Sequence, residues 1–315
     1  LPNLAAVLVV GLGCERNQIA DLLASQDLQH GPKLVAFNMQ DVGGTRETIA
    51  AGIAAVEALL ADADDVRRES VSAEHLRIGL QCGGSDGFSG ITANPAVGHA
   101  ADLLAALGGT TLLAEFPELC GVEQELIDRC VETRHAERFL HLMTAYNARA
   151  QAVGSGFDMN PSPGNIKDGL ITDAMKSAGA ARKGGSSPVT DVLDYPEYAT
   201  TPGLNLLCTP GNDVEATTAQ VGAGANVVLF TTGLGTPTGN PVAPVVKLAT
   251  NTALATRMAD LIDIDCGRIL SGDTTLAGMG EEILELIIAV ASGQLTRAEE
   301  LGQDDFIPWK RGVSL

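Results

Sequence analysis

The sequence predicts an α/β protein made of two Rossmann-like domains, each a parallel sheet with helices on both faces. Three observations carry that expectation. Short, wholly apolar runs recur along the chain, as strands buried on both faces require. Segments with apolar residues at helical spacing separate them, the alternation a parallel sheet needs for its crossovers. The texture also changes between Gly154 and Pro202, where Gly, Pro, Ser and Asn dominate GSGFDMNPSPGN and KGGSSP. That change places one domain at 1–154 and the other at 155–315.

The elements follow in order. Ala5–Leu12 (AAVLVVGL) reads as a buried strand, and Glu15–Leu28 as a helix. Lys33–Met39 is the next strand, Arg46–Ala61 an amphipathic helix and Asp62–Glu69 a solvated acidic connector. Strands are expected at Leu76–Cys82 and Thr110–Phe116, with a helix over Ala93–Leu107 between them and helices over Val122–Cys130 and Ala136–Val153 after them. The Gly/Pro-rich stretch holds one short helix near Leu170–Gly179 and either links domains or covers a site. Strands resume at Leu204–Cys208, Asn226–Thr232, Val245–Thr250 and Leu261–Asp265, with helices near Val214–Val221, Ala253–Leu261 and Gly280–Ala291.

Composition narrows the function. Twenty Lys+Arg against 39 Asp+Glu give a formal charge of −19 over 315 residues. That argues against a nucleic-acid binder, which needs a basic face for phosphates. No apolar run approaches the ~20 residues that span a bilayer, and no signal peptide is visible. The six cysteines form no C-x-x-C pair, so a reduced, cytoplasmic protein without membrane attachment is the expectation. The chain opens on Leu1 instead of Met, which reads as a start other than the native one.

Four cysteines sit where apolar strands end: Cys14, Cys82, Cys208 and Cys266. Ligands of open parallel sheets bind outside the carboxyl ends of the strands. Cysteines there could ligate iron, position a substrate, or simply pack as small hydrophobes. Cys82 opens the densest polar stretch, CGGSDGFSG. Successive backbone amides at Gly83 and Gly84 could cradle an anion, with Ser85, Asp86 and Ser89 as side-chain partners; the alternative is a plain glycine-rich turn. Gly83-x-Ser85-x-Gly87 also fits a nucleophile elbow formally. The last histidine, His141, comes too early for that triad. Gly11-x-Gly13-x-x-Arg16 and Gly233-x-Gly235 fail as dinucleotide fingerprints at the third position. The histidines give no metal motif, since His135 and His141 do not share a helix face.

Carboxylates are more telling. Glu115, Glu118 and Glu123 follow the strand TTLLAEF, where clustered acids repel unless a cation or a proton relieves them. They could be metal ligands, a general base, or ordinary solvated charges. Asp213 (CTPGND) and Lys247 (PVVKLATN) lie beside later strands. A lysine inside an apolar strand could hold a substrate carboxylate or act as a base; otherwise it is an edge residue with its head in water.

Taken together, these segments resemble the altronate/galactarate dehydratase family of sugar-acid hydro-lyases. The residues that carry the resemblance run nearly end to end: Gly11–Glu15 (GLGCE), Gly79–Pro95 (GLQCGGSDGFSGITANP), Asn160–Asn165 (NPSPGN) and Lys183–Gly185 (KGG). They continue through Cys208–Asp213 (CTPGND), Phe230–Pro237 (FTTGLGTP), Lys247–Asn251 (KLATN) and Pro308–Gly312 (PWKRG). The match looks nearer altronate than galactarate dehydratase. Family members usually carry an earlier Gly/Arg-rich segment and a small β-rich domain, so the resemblance implies the C-terminal portion of a longer or split enzyme. The implied partners are a sugar acid, a missing N-terminal domain or small subunit, and a further copy of the chain in a homo-oligomer.

What the resemblance implies is dehydration of a sugar acid to a 2-keto-3-deoxy acid, assisted by a divalent metal, Fe2+ before Mn2+, with an iron–sulfur cluster left open. On that reading Cys82, Asp86 and Glu115 are metal-side candidates, and Lys247, Glu118 and Asp213 the catalytic ones. Gly83, Gly84, Ser85, Ser89, Asn165, Lys183 and Thr232 would bind the substrate. Two other readings stand beside it: the large subunit of a sulfolactate sulfo-lyase, and a non-catalytic sugar-acid-binding subunit.

Overall fold

The computed structural model describes residues 3–311, so Gly312 of the closing PWKRG motif lies outside the described residues. The chain divides into two compact units, Leu1–Ser70 and Val71–Leu315.

In the first unit, β1 (Val7–Gly11) pairs in parallel with β2 (Leu34–Asn38), from Val7 opposite Leu34 to Gly11 opposite Asn38. The crossover helix α1 (Ile19–Ser25) is shorter than Glu15–Leu28, because the Glu15 carboxylate turns back to accept the Leu12 and Gly13 amides. A turn of helix, α2 (Met39–Val42), and the long α3 (Thr45–Ala63) complete the unit. Two strands are too few to cover the apolar stripe of α3. Ile49, Ile53 and Val56 stay exposed and, with Leu8 and Val10, line a groove of about 450 Å³.

The second unit is built on seven parallel strands: β3 (Arg77–Cys82), β4 (Thr110–Leu113), β5 (Val189–Leu193), β6 (Gly203–Leu207), β7 (Val227–Thr232), β8 (Val245–Ala249) and β9 (Ile264–Asp265). Their order across the sheet is β5-β6-β4-β3-β7-β8-β9, and every pairing is parallel. The α/β class and the helices on both faces are as expected, but the partition is not. Strands from before and after residue 154 interleave, β4 lying between β3 and β6. One sheet therefore crosses the expected 154/155 boundary, and the division falls at 70/71. The Gly/Pro-rich segment is not a linker. It hides β5, a five-residue edge strand (VTDVL) entered from Pro188, too short and too polar to announce itself.

Among the described residues of this unit seven α-helices lie between the strands and three follow β9. Between β3 and β4 runs α4 (Ala93–Ala106); α5 (Glu123–Ile127), α6 (Thr133–Ala152), α7 (Pro163–Lys167) and α8 (Asp173–Ala181) lead to β5. Then come α9 (Asp213–Gly222), α10 (Thr252–Arg257), α11 (Arg268–Ser271), α12 (Leu276–Ala291) and α13 (Arg297–Glu300). One face of the sheet buries Ile78, Leu80, Leu229 and Leu248 in a core shared with α4 and α12; the other buries Val228 and Phe230 in a core shared with α9 and α13. Each such side chain contributes about 1.5–3 kcal/mol by leaving water. No helix among the described residues is long and apolar enough to cross a membrane.

From β3 the chain moves to β4 on one side; from β7 it moves to β8 on the other. Crossovers thus diverge between adjacent central strands, which opens a crevice at their carboxyl ends. The CGGSDGFSG loop leaves β3 at that point.

Candidate functional site

The carboxyl end of β3 delivers Cys82, and β4 delivers two glutamates. Glu115 breaks β4 by taking a left-handed backbone, φ 68° and ψ 58°, although it has a side chain and is fully buried. Such a conformation costs about 1–3 kcal/mol and persists where the surroundings over-determine it. Here the Thr209 hydroxyl accepts the Glu115 amide at 2.8 Å. Pro117 then helps to start a single 3-10 turn over Phe116–Leu119, and the Glu118 amide donates to the Glu115 carbonyl at 2.8 Å. The two carboxylates consequently lie on one side of the turn.

Two lysines meet them. The Ser162 capping box with Asn165, and Pro163 at the first turn, fix α7. Lys176 on α8 donates to Asn160 Oδ1 (2.6 Å) and Asn165 Oδ1 (3.2 Å), and pairs with Glu118 Oε1 at 2.8 Å. Seven residues on, in the 3-10 turn Arg182–Gly184 that follows α8, Lys183 pairs with Glu115 Oε2 at 2.6 Å and donates to Cys82 Sγ at 2.8 Å. The Cys82 thiol lies 3.0 Å from Glu118 Oε2 and 3.4 Å from Glu115 Oε2. Glu115 also accepts from Gln81 Nε2 (2.8 Å) and the Cys82 amide (3.0 Å). Cys82, Glu115, Glu118 and Lys183 are all buried.

Burial sets the protonation pattern. It drives the Glu115 carboxyl up to about 7, with the Glu118 charge adding to it. Burial and both glutamates push the Cys82 thiol well above its ordinary range. Burial would raise Glu118 too, but Lys176 and Lys183 outweigh it and hold that carboxyl low. For Lys183, burial is outweighed by Cys82, Glu115 and Glu118, so it remains an ammonium. Asp213 stands beside this group: a Cβ on Gly83 would collide with its carboxylate, and Thr236 donates to it at 3.2 Å. Burial raises Asp213 to about 6.

Two residues past Cys82, Gly84 has φ +58° and its carbonyl accepts the Gly233 and Leu234 amides. A chain bearing Cβ would be strained there. Among the described residues the Gly84 and Ser85 amides and the Ser85 hydroxyl make no hydrogen bond, whereas the Ser85 carbonyl accepts from Asn165 Nδ2 at 2.9 Å. This leaves adjacent donors beside Asp213.

The structure thus gathers Cys82, Gly83, Gly84, Ser85, Glu115, Glu118, Asn165, Lys183 and Asp213, while other candidates go elsewhere. Thr232 lies next to Gly84, but its hydroxyl is occupied by the Gly235 amide. Asp86 does not join Cys82 and Glu115. One of its oxygens takes the Phe88 amide and the Ser89 hydroxyl, and the other takes Thr250 and Asn251, so it pins the β3 loop to the end of β8. Ser89 is engaged in that same pin. Lys247 is not brought to the site. Its register partner is Phe230, whose ring lies in the core shared with α9 and α13, and its ammonium donates to Gln303 beside α13. Nor do the strand-end cysteines make a metal group with Cys82 among the described residues. Cys14 is exposed, Cys208 approaches Arg311 at 4.0 Å, and Cys266 is buried apart from any metal-ligand group. Lys176 was not singled out from sequence, although its seven-residue spacing from Lys183 is a legible signal.

Cys82, Glu115 and Glu118 are the one group of three ligand-type side chains found close together among the described residues, their donor atoms within 4.8 Å of one another. Thiol and carboxylates are suitable donors for iron. In this arrangement, though, their lone pairs face two ammonium groups, so the residues as placed do not fit a metal ion.

The second unit is thus a parallel α/β sheet with a charged, buried side-chain cluster and unpaired backbone amides at its switch point, where ligands of such sheets bind. The chain belongs to the D-galactarate/altronate dehydratase family: residues 73–314 match its C-terminal domain and residues 1–64 its second domain. It is 41% identical to the altronate dehydratase of Escherichia coli K12 over 317 residues and 40% to that of Bacillus subtilis 168 over 315. In both cases the whole chain is covered, but only 62% of the relative. The (2R)-sulfolactate sulfo-lyase subunit beta of Chromohalobacter salexigens is 32% identical over 311 residues, covering 97% of this chain and 78% of that subunit.

Proposed function

We propose that this chain forms the reaction centre of a sugar-acid dehydratase that converts an altronate-like aldonate to its 2-keto-3-deoxy acid. The observation that carries the reading is the buried Cys82–Glu115–Glu118–Lys176–Lys183 group at the carboxyl ends of β3 and β4, with the unpaired Gly84 and Ser85 amides in the loop that leaves β3. Family membership supplies the substrate class. The likeness to altronate dehydratases at 41% and 40%, against 38% for the galactarate dehydratase of E. coli K12, favours the aldonate.

The free amides of Gly84 and Ser85 take the substrate carboxylate. A proton α to a carboxylate is weakly acidic, so the enediolate formed by its removal needs stabilisation. The amides and the two ammonium groups supply positive potential there. Glu118, held ionised by Lys176, removes the C2 proton. The C–H electron pair first enters the enediolate, which then collapses to form the C2=C3 double bond as the C3–O bond breaks. Asp213, whose raised pKa leaves a proton available, donates to the departing oxygen, which leaves as water. The enol then moves its hydroxyl proton to C3 and becomes the ketone. The group that gave a proton recovers one from Glu118, and the protein ends as it began.

The test is turnover by the complete enzyme with altronate, galactarate and sulfolactate, following keto acid and sulfite separately. Keto acid from altronate without sulfite supports the reading. Sulfite release assigns the chain to the sulfo-lyase side of the family, and binding without product to a non-catalytic subunit.

A further inference from the structure

We infer that Lys183 fills the position of a metal ion among Cys82, Glu115 and Glu118, so that these side chains form a lysine-neutralised proton-transfer group and do not ligate a divalent cation. The inference goes beyond the proposed dehydration and does not depend on which acid is the substrate.

The three donor atoms lie close enough to share one cation, within 4.8 Å of each other. That cation is already present as an ammonium. Lys183 Nζ contacts Cys82 Sγ at 2.8 Å and Glu115 Oε2 at 2.6 Å. Glu118 divides its oxygens between Lys176 at 2.8 Å and the Cys82 thiol at 3.0 Å. Charge closes too. Two carboxylates face two ammonium groups with the thiol neutral, so a divalent ion would add two uncompensated positive charges to a dry site. A metal would also want Cys82 as thiolate, and a thiolate stands next to two carboxylates here. The lysines have little room to withdraw. Lys183 has no solvent exposure, and Lys176 is held by Asn160 and Asn165 as well as by Glu118. Any metal used by the complete enzyme is therefore held by other residues.

Cobalt(II) reports the distinction without turnover, because a cobalt ion bound to a thiolate shows a near-ultraviolet charge-transfer band. Complete enzyme is prepared anaerobically, stripped of metal and titrated with Co2+, with metal content measured alongside. We expect no thiolate-to-cobalt band in the wild type, and the same metal equivalents per chain in Cys82→Ser and Glu115→Gln as in wild type. Folded Lys183→Met should gain the band, since removing the ammonium frees the donor set, and Lys183→Met/Cys82→Ser should lose it again. A band in the wild type, or loss of one metal equivalent in Cys82→Ser or Glu115→Gln, overturns the inference, as does a folded Lys183→Met without the band. Should Lys183→Met not fold, the wild-type spectrum and the metal counts of the other two variants decide alone.

Discussion

Lys183→Met removes a buried ammonium while keeping most of the stem that packs beside it. At 2.6 Å from Glu115 Oε2, the gross attraction is about 6 kcal/mol at an effective dielectric near 20. Desolvation offsets part of this, and removing one partner of a buried pair typically costs about 3–5 kcal/mol. Glu115 has an escape, because its carboxyl is already driven up to about 7 and takes a proton when the ammonium goes. The loss should therefore be about 3 kcal/mol at pH 7. Above neutrality the folded variant holds a proton that the unfolded chain has released, so stability falls by roughly 1.4 kcal/mol per pH unit until Glu115 ionises. For a unit of this size, about 3 kcal/mol lowers Tm by roughly 6–12 °C. Thermal unfolding of wild type and variant at pH 6 to 9 reads both magnitude and slope. A loss under about 1 kcal/mol, or one that does not grow with pH, refutes the claim that Lys183 neutralises Glu115.

Further predictions follow from the same geometry. Glu115→Gln should flatten the stability profile. The raised folded pKa stabilises the wild type fully below 4.5, and that contribution is lost as pH rises towards about 7, so urea unfolding across this window should show a decline in wild type that the variant lacks. Lys247→Met should keep turnover within twofold (roughly) and gain up to about 3 kcal/mol in denaturant unfolding at neutral pH, because burial has lowered that lysine to about 8 against the opposing charges of Asp263 and Asp305; a large loss of kcat would return Lys247 to the reaction. Asp86→Ala should lose about 3–5 kcal/mol, since it strips four hydrogen bonds, two within the β3 loop and two that join the loop to the end of β8; calorimetry measures it. Gly83→Ala pushes on the Asp213 carboxylate and should lower kcat/KM about a hundredfold with Tm nearly unchanged.

Much of this was legible in the sequence, and for physical reasons. Buried parallel strands are apolar on both faces, so β3, β7 and β8 could be read directly. The glycine loop after β3 is visible because close backbone approach excludes side chains, and Glu115 and Glu118 because acids after a strand need relief. Other parts were hidden. An edge strand such as β5 has no continuous apolar run, and its concealment put the domain boundary at 154/155. Asp86 looked like a ligand because its neighbours are glycines and serines, while the partners that occupy it, Thr250 and Asn251, lie 164 and 165 residues away. Lys247 looked catalytic because a strand lysine is rare, but the register places it beside Phe230, on the face that α9 and α13 cover. Lys176 left only its seven-residue spacing from Lys183 as a signal, and its role shows once Asn160, Asn165 and Glu118 are seen to hold it.

The central claim is that Glu118, kept ionised by Lys176, takes the substrate proton. Glu118→Gln in the complete enzyme tests it most directly, with altronate binding by calorimetry and keto-acid release measured on one preparation. The account predicts binding within threefold of wild type and kcat reduced by about a thousandfold, in the range expected for loss of a general base. Turnover within tenfold of wild type, with folding and binding intact, would contradict it.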